Sequence, residues 1–242
     1  MSKRLQAVIF DLDGTLVDSE KNWQVSDGEF LKSLGMDYTQ EMWEKTIGMG
    51  GRAMAAMIKD QLKLDKSLDE LCLYKDDLYI QQAKGRTKAF PEMIKLLEAF
   101  KLQKLPLAVA SGSSLRVIHA SLAETPILGK FSLITSADQV ARGKPEPDLF
   151  IYTARKLGVN PENCLVFEDS LYGVQAGLAA GMTVVAVPEI WKAEKALEFE
   201  KAHLLFAEGM RNFTAEAVLD WIDSHYCQCE DCTFYDLGHC KD

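Results

Sequence analysis

The 242-residue sequence predicts an α/β protein: a parallel sheet covered by helices on both faces, interrupted near its start by a helical insert. Three observations predict it. Short apolar runs rich in β-formers recur along the chain, each running into a polar or glycine-containing loop. Apolar residues at helical spacing separate those runs from about residue 91 onward. Between about residues 18 and 85 helical spacing is present and strand patterning is not.

The elements follow in order. Ala7-Val8-Ile9-Phe10 is an apolar run ending in acids and Gly14, the pattern of a buried strand followed by a polar loop. In the insert, Trp23, Phe30, Leu31 and Leu34 share one helical face, and Met54, Met57, Ile58 and Leu62 share another. After Pro91 a helix carries Met93, Leu96, Leu97 and Phe100. Leu105 to Ala110 is a strand, and Ser111-Gly112-Ser113-Ser114 opens a helix with Leu115, Ile118 and Leu122. A strand at Phe131 to Thr135 precedes a helix with Phe150, Ala154 and Leu157, which Gly158 ends. Cys164 to Phe167 is a strand, a helix runs to Gly181, and Thr183 to Val187 is a further strand. This division predicts a core of residues 1–17 and 86–224, a helical cap of residues 18–85, and a Cys/His-rich tail at 225–242.

Composition narrows the class. Hydrophobic residues make up 48% and charged residues 26%, an ordinary globular mix. The net charge of −9 disfavours nucleic acid as a partner, although one local pocket can still be positive. No apolar run approaches the roughly 20 residues of a membrane helix, and the stretch after Met1-Ser2-Lys3-Arg4 meets Asp11 and Asp13, unlike a secretory signal. The expectation is a cytoplasmic protein with no membrane partner, a monomer or weak homodimer. Cys72 and Cys164, in apolar surroundings, read as small core residues.

In open parallel sheets ligands sit at the carboxyl ends of the strands. Asp11 and Asp13 follow the first strand here, Ser111 another, and Glu168 and Asp169 a third, while Lys144 lies in the loop Gly143-Lys144-Pro145-Glu146-Pro147-Asp148. Clustered carboxylates repel one another, so a cation is the natural way to keep them ionised. Oxygen ligands without His or Cys favour Mg²⁺. A metal and a lysine offset the charge of a phosphate dianion while one carboxylate attacks it. A second carboxyl group two residues on can protonate the leaving alcohol and then deprotonate water. Each feature also has an ordinary reading. Asp-x-Asp can be a solvated turn, Ser111 to Ser114 a helix N-cap, Asp148 a cap, and Glu168-Asp169 a cap of the next helix.

Taken together the features resemble the haloacid dehalogenase-like hydrolase superfamily. Val8 to Ser19, reading VIFDLDGTLVDS, is similar to its first signature, Ala110-Ser111-Gly112 to the second, Lys144-Pro145 to the third, and Glu168-Asp169-Ser170 with Gly173 and Gly177 to the fourth. The resemblance covers residues 7 to about 188. It implies a Rossmann-like core with a small mobile helical cap, hinged near residues 17 and 86. It implies Asp11 as nucleophile and Asp13 as general acid/base. It implies Mg²⁺ held by Asp11, the Asp13 carbonyl and Asp169, with Glu168 in the first or second shell. Ser111, Gly112 and Lys144 are implied as phosphate binders.

The implied activity is a Mg²⁺-dependent phosphatase acting on a small phosphorylated metabolite (a sugar phosphate, polyol phosphate or nucleotide-like monophosphate) through an aspartyl-phosphate. The alternatives are a β-phosphoglucomutase-type mutase and a non-catalytic binding protein. The subgroup resembled holds β-phosphoglucomutase, sugar-phosphate phosphatases and pseudouridine-5′-phosphate phosphatases. Ile47-Gly48-Met49-Gly50-Gly51-Arg52-Ala53 is most similar to the last of these. The mutases carry a cap histidine soon after the first signature, whereas this chain reads Ser19-Glu20-Lys21-Asn22-Trp23-Gln24. Trp23 reads as cap core, with substrate contact as the other reading. Arg52, in the glycine-rich loop, is the candidate for substrate recognition, with a solvated loop arginine as the other reading.

The tail, His225-Tyr226-Cys227-Gln228-Cys229-Glu230-Asp231-Cys232 with His239-Cys240, has two readings. Thiolates and imidazoles suit a Zn²⁺ site, but Cys-x-Cys-x-x-Cys is not a knuckle spacing, and a loosely ordered tail without a role is the alternative.

Overall fold

A computed structural model of the chain describes residues 4–47, 49–188 and 196–226. The apolar runs become a six-stranded sheet, β5-β4-β1-β6-β7-β8, parallel throughout. Its strands are β1 (Ala7–Phe10), β4 (Leu107–Ser111), β5 (Leu133–Ser136), β6 (Cys164–Glu168), β7 (Thr183–Ala186) and β8 (Leu204–Leu205). β1 lies between β4 and β6, and every residue in it is buried, as a strand covered on both faces requires.

Alternation along β1 divides the core. Val8 and Phe10 face α5 (Pro91–Leu102), α6 (Leu115–Ala123) and the last described helix (Ala215–Tyr226), packing with Phe100, Ile118 and Ile222. Ala7 and Ile9 face α7 (Asp148–Leu157) and α8 (Leu171–Ala179), packing with Phe150 and Val174. α8 lies close to the sheet because residue 177 is glycine: a Cβ there would sit 2.8 Å from Val184 Cγ2.

The insert contains α1 (Glu20–Ser33), α2 (Gln40–Thr46), α3 (Gly51–Leu62) and α4 (Leu68–Ala83). It has its own apolar cluster, centred on Phe30, Leu31, Met54, Ile58 and Leu71. Ser67 starts α4 through a reciprocal capping box with Glu70. The chain enters and leaves this segment through two short strands, β2 (Val17–Asp18) and β3 (Lys88–Ala89), paired antiparallel. α4 lies along α6. Ser114 Oγ donates to Asp76 Oδ2 at 2.6 Å, Arg116 pairs with Asp77 at 2.7 Å, and the buried Tyr79 hydroxyl meets Ser121 Oγ at 3.2 Å. Glu124 accepts the Gly85 N–H at 2.9 Å.

Three local expectations are corrected. The strand expected from Leu105 begins at Leu107, after Pro106, which has no N–H to give a ladder. Asp148 does not cap α7: Pro147 holds that position, and the Asp148 carboxylate takes the Arg142 guanidinium at 2.8 and 3.1 Å. Glu168-Asp169 does not cap α8; the Ser170 hydroxyl does, accepting the Gly173 N–H at 3.0 Å.

Candidate active site

The loops after β1, β4 and β6 converge with the loop between β5 and α7. Asp11, Asp13, Ser111, Gly112, Lys144 and Asp169 line one cavity of about 700 Å³, and Glu168 lies fully buried behind Lys144. Gly14 makes the first loop possible: at φ 74° it lets the chain fold back, so that its N–H donates to Val17 O at 2.9 Å.

Lys144 is fixed by three acceptors, matching the three protons of an ammonium group. Its Nζ donates to Asp11 Oδ1 at 2.5 Å, to Ala110 O at 3.1 Å and to Glu168 Oε1. Burial alone would lower its pKa, but the Asp11 and Glu168 carboxylates outweigh burial and raise it, so the charge is held. Asp11, 7% exposed, is pushed up to about 8 by burial, with Glu168 and Asp13 adding and Lys144 opposing.

One lysine among these acids leaves room for a cation. Asp11, Glu168 and Asp169 each offer an oxygen, and the three oxygens lie within 4.8 Å of one another. Hard oxygen donors with an excess of negative charge fit Mg²⁺. Asp169 Oδ1 also accepts the Thr15 hydroxyl at 3.2 Å. Glu168 Oε2 accepts the Ser170 N–H at 3.1 Å and its hydroxyl at 3.0 Å. A glycine at 173 is required beside it, because a Cβ there would fall 1.8 Å from the Glu168 carboxylate.

The Asp13 carboxylate turns away from this cluster toward the insert. Its Oδ1 accepts the Ser19 hydroxyl at 2.7 Å and the Trp23 indole N–H at 2.9 Å, and its Oδ2 accepts the Ser113 hydroxyl at 2.9 Å. Ser111, almost wholly buried, accepts the Ser113 N–H at 3.1 Å through Oγ. Gly112 is met from the insert by Gly50; a Cβ built on Gly50 would lie 3.1 Å from the Gly112 carbonyl oxygen.

Trp23 is therefore more than the core residue its spacing predicts. Its ring stacks on Tyr79 at 3.8 Å between centroids and has Lys75 Nζ 4.2 Å from its centre. Arg52 lies in the first turn of α3 rather than in the preceding loop. It lines the cavity while pairing with Asp69 at 2.8 Å, its side chain about half exposed. Ser19, Trp23, Ser113 and Thr15 carry no ionisable group, so no charge pattern marks them in sequence. Thr15 and Ser19 stand inside the first signature run, Trp23 and Ser113 outside it. Of the residues of the Zn²⁺ reading, His225 lies in the last turn of the helix Ala215–Tyr226, its ring stacked on Trp221; Cys227, Cys229, Cys232, His239 and Cys240 lie outside the described residues, as does Gly48. Among the described residues no helix is long and apolar enough to cross a membrane.

A parallel α/β sheet carrying a carboxylate pair, a buried lysine and an acidic cation site at its carboxyl edge is the frame of a phosphoryl-handling hydrolase. The sequence model of haloacid dehalogenase-like hydrolases matches residues 8–187, and the chain belongs to that family. A bifunctional riboflavin kinase/FMN phosphatase of Arabidopsis thaliana is 32% identical over 193 residues, 79% of this chain. The chain spans about half the length of that relative, 51%. The fructose-1-phosphate phosphatase YqaB of Escherichia coli is 30% identical over 187 residues, covering 77% of this chain and 98% of that protein. CbbY from Rhodobacter sphaeroides, solved in complex with phosphate, superposes with a TM-score of 0.76 at 26% identity, over 86% of this chain and 96% of that one. The chain is a phosphoric monoester hydrolase of this family.

Proposed function

We propose that the protein is a Mg²⁺-dependent phosphatase that hydrolyses a small phosphorylated metabolite through an aspartyl-phosphate on Asp11. The observation that carries this reading is the Lys144 ammonium joining Asp11 to Glu168 beside Asp169, with Asp13 held apart by three donors.

In the first step an Asp11 carboxylate oxygen forms a bond to phosphorus as the ester P–O bond breaks, and the leaving oxygen takes a proton from Asp13. In the second, water attacks the same phosphorus and gives a proton to Asp13. The Asp11–phosphorus bond breaks, inorganic phosphate leaves, and both carboxyl groups return to their starting state. Asp11, Asp169 and the Asp13 carbonyl would hold the Mg²⁺, with Glu168 as a further oxygen donor, directly or through a water. When bound, the ion supplies positive charge to the phosphoryl oxygens. Ser111, whose oxygen already accepts the Ser113 N–H, keeps its own proton to give to the phosphate, the Gly112 N–H offers a further donor, and Lys144 supplies positive charge, turning a proton to the phosphate as it leaves one of its three acceptors.

Water is preferred to a sugar hydroxyl as acceptor because residues 19–24 hold no histidine, and Asp13 is met there by an indole instead. The test is phosphate release from a panel of phosphomonoesters with and without Mg²⁺, in the native protein and in Asp11→Asn. The reading requires Mg²⁺-dependent release, a phosphoryl adduct on the Asp11 peptide, and loss of both in Asp11→Asn. Full activity in that variant overturns it.

A further inference from the structure

The cavity reaches well beyond the phosphate-handling residues. At about 700 Å³ it is in the range that holds a drug-sized or cofactor-sized molecule, far larger than a phosphate on a short carbon chain needs. Its wall on the side of the insert comes from α1, the segment after it, α2, α3 and α4. It combines three aromatic side chains, Trp23, Tyr38 and Trp43, with Thr46 and one ion pair.

That pair is Asp27 with Lys75, an α1 carboxylate and an α4 ammonium, both buried and both lining the cavity. A buried ion pair is costly relative to an apolar pair of similar volume, and its presence in a cavity wall calls for a use. Lys75 Nζ bonds Asp27 Oδ1 and sits over the Trp23 ring, so its position is fixed from two sides. With Oδ1 taken, Asp27 keeps a second carboxylate oxygen as acceptor, and Lys75 keeps ammonium protons as donors. Gly28, beside Asp27, lets the Tyr38 ring approach: a Cβ there would already lie 3.4 Å from its Cδ1.

Trp23 is already stacked on Tyr79 and covered by the Lys75 ammonium, so Tyr38 and Trp43 are the aromatic walls that suit a planar ring, and a fixed carboxylate next to a fixed ammonium suits an edge that presents N–H and C=O side by side. Open-chain and sugar phosphates offer neither: their hydroxyls are tetrahedral and point in several directions. We infer that the substrate is a monophosphate whose alcohol carries a planar nitrogen heterocycle with adjoining N–H and C=O groups, as in pyrimidine nucleosides and flavins, with Asp27 and Lys75 reading that edge. This rests on the phosphatase reading of the same cavity.

The test uses Mg²⁺-loaded protein with uridine 5′-monophosphate and FMN against glycerol 3-phosphate and fructose 1-phosphate. One heterocyclic ester is expected to exceed both others in kcat/KM by about ten-fold or more, the scale of one recognised polar edge. Removing only one member of the ion pair strands the other charge, so the pair is replaced together, Asp27→Leu with Lys75→Met. Trp43→Ala is made separately, with the pair intact. Both variants are expected to lower the heterocycle-to-glycerol-phosphate ratio by about ten-fold or more. Binding to the Asp11→Asn protein, followed by quenching of tryptophan fluorescence, should rank the ligands in the same order without turnover. A wild-type preference for the aliphatic or sugar esters, or an unchanged ratio in both variants, overturns the inference while leaving the phosphatase intact. If no ester is hydrolysed, the phosphatase reading fails, and the binding order in Asp11→Asn decides the ring site by itself.

Discussion

The indole N–H of Trp23 donates to Asp13 Oδ1 at 2.9 Å, from a ring stacked on Tyr79. A residue of the helical insert thus orients the carboxyl group proposed to move the proton. Trp23→Phe keeps the stacking surface and deletes the donor. A hydrogen bond to a charged group is worth about 1.5–3 kcal/mol, so kcat is expected to fall by about ten- to a hundred-fold, with KM changing far less. Steady-state kinetics on one phosphoester, beside an unchanged circular dichroism spectrum, checks it.

Lys144 faces two buried carboxylates at once. Lys144→Met leaves Glu168, wholly buried, without its cation, and removing one side of a buried pair costs about 3–5 kcal/mol. Urea unfolding without metal should show that loss, and turnover measured with Mg²⁺ should be absent. A midpoint equal to that of the native protein would contradict the geometry.

Asp11 links pH to metal-free stability. Burial raises its folded pKa to about 8, so the native state binds this proton more tightly than the unfolded chain does. Its contribution to stability is therefore lost as pH rises from the ordinary carboxylate range through about 8. Asp11→Asn, which cannot ionise, should unfold at a higher temperature than the native protein at pH 9 in chelator, with a smaller difference at pH 5. Mg²⁺ should raise the native midpoint at pH 9 and move that of Asp11→Asn less. Thermal melts at the two pH values measure both effects.

Gly173 and Glu168 cannot both keep their places if a side chain is added at 173, since a Cβ there falls 1.8 Å from the carboxylate. Gly173→Ala is expected to displace Glu168 and with it Lys144, weakening Mg²⁺ binding and turnover together. Titration of activity against Mg²⁺ should show a higher half-saturating concentration and a lower plateau.

Much of the sheet was legible because buried parallel strands read as apolar runs, as in Ala7–Phe10 and Cys164–Phe167. The convergence of Asp11, Ser111, Lys144 and Asp169 was legible because each follows a strand on one rim. The short strands β2, β3 and β8, two residues each, carry too little pattern to be read. Arg52 was placed in a loop because three neighbouring glycines read as a breaker, whereas the helix begins at Gly51. The partners of Asp13 were not legible, since two serines in loops and a tryptophan on a helix face look like turn, cap and core residues until the fold turns them toward a carboxylate. The Asp27–Lys75 pair joins residues 48 positions apart on two different helices, and no local spacing announces it.

The seam between α4 and α6 bears on how such an enzyme can be rebuilt. Asp76, Asp77 and Tyr79 each engage a side chain of the sheet-bound half, at Ser114, Arg116 and Ser121. Grafting the insert of a relative onto this core, to exchange one substrate for another, would therefore mismatch three contacts that lie outside the graft. A chimaera that carries α6 along with the four insert helices keeps donor and acceptor together. The natural unit of exchange in this protein is thus discontinuous in sequence, running across the sheet strand β4 rather than ending at the linker strands.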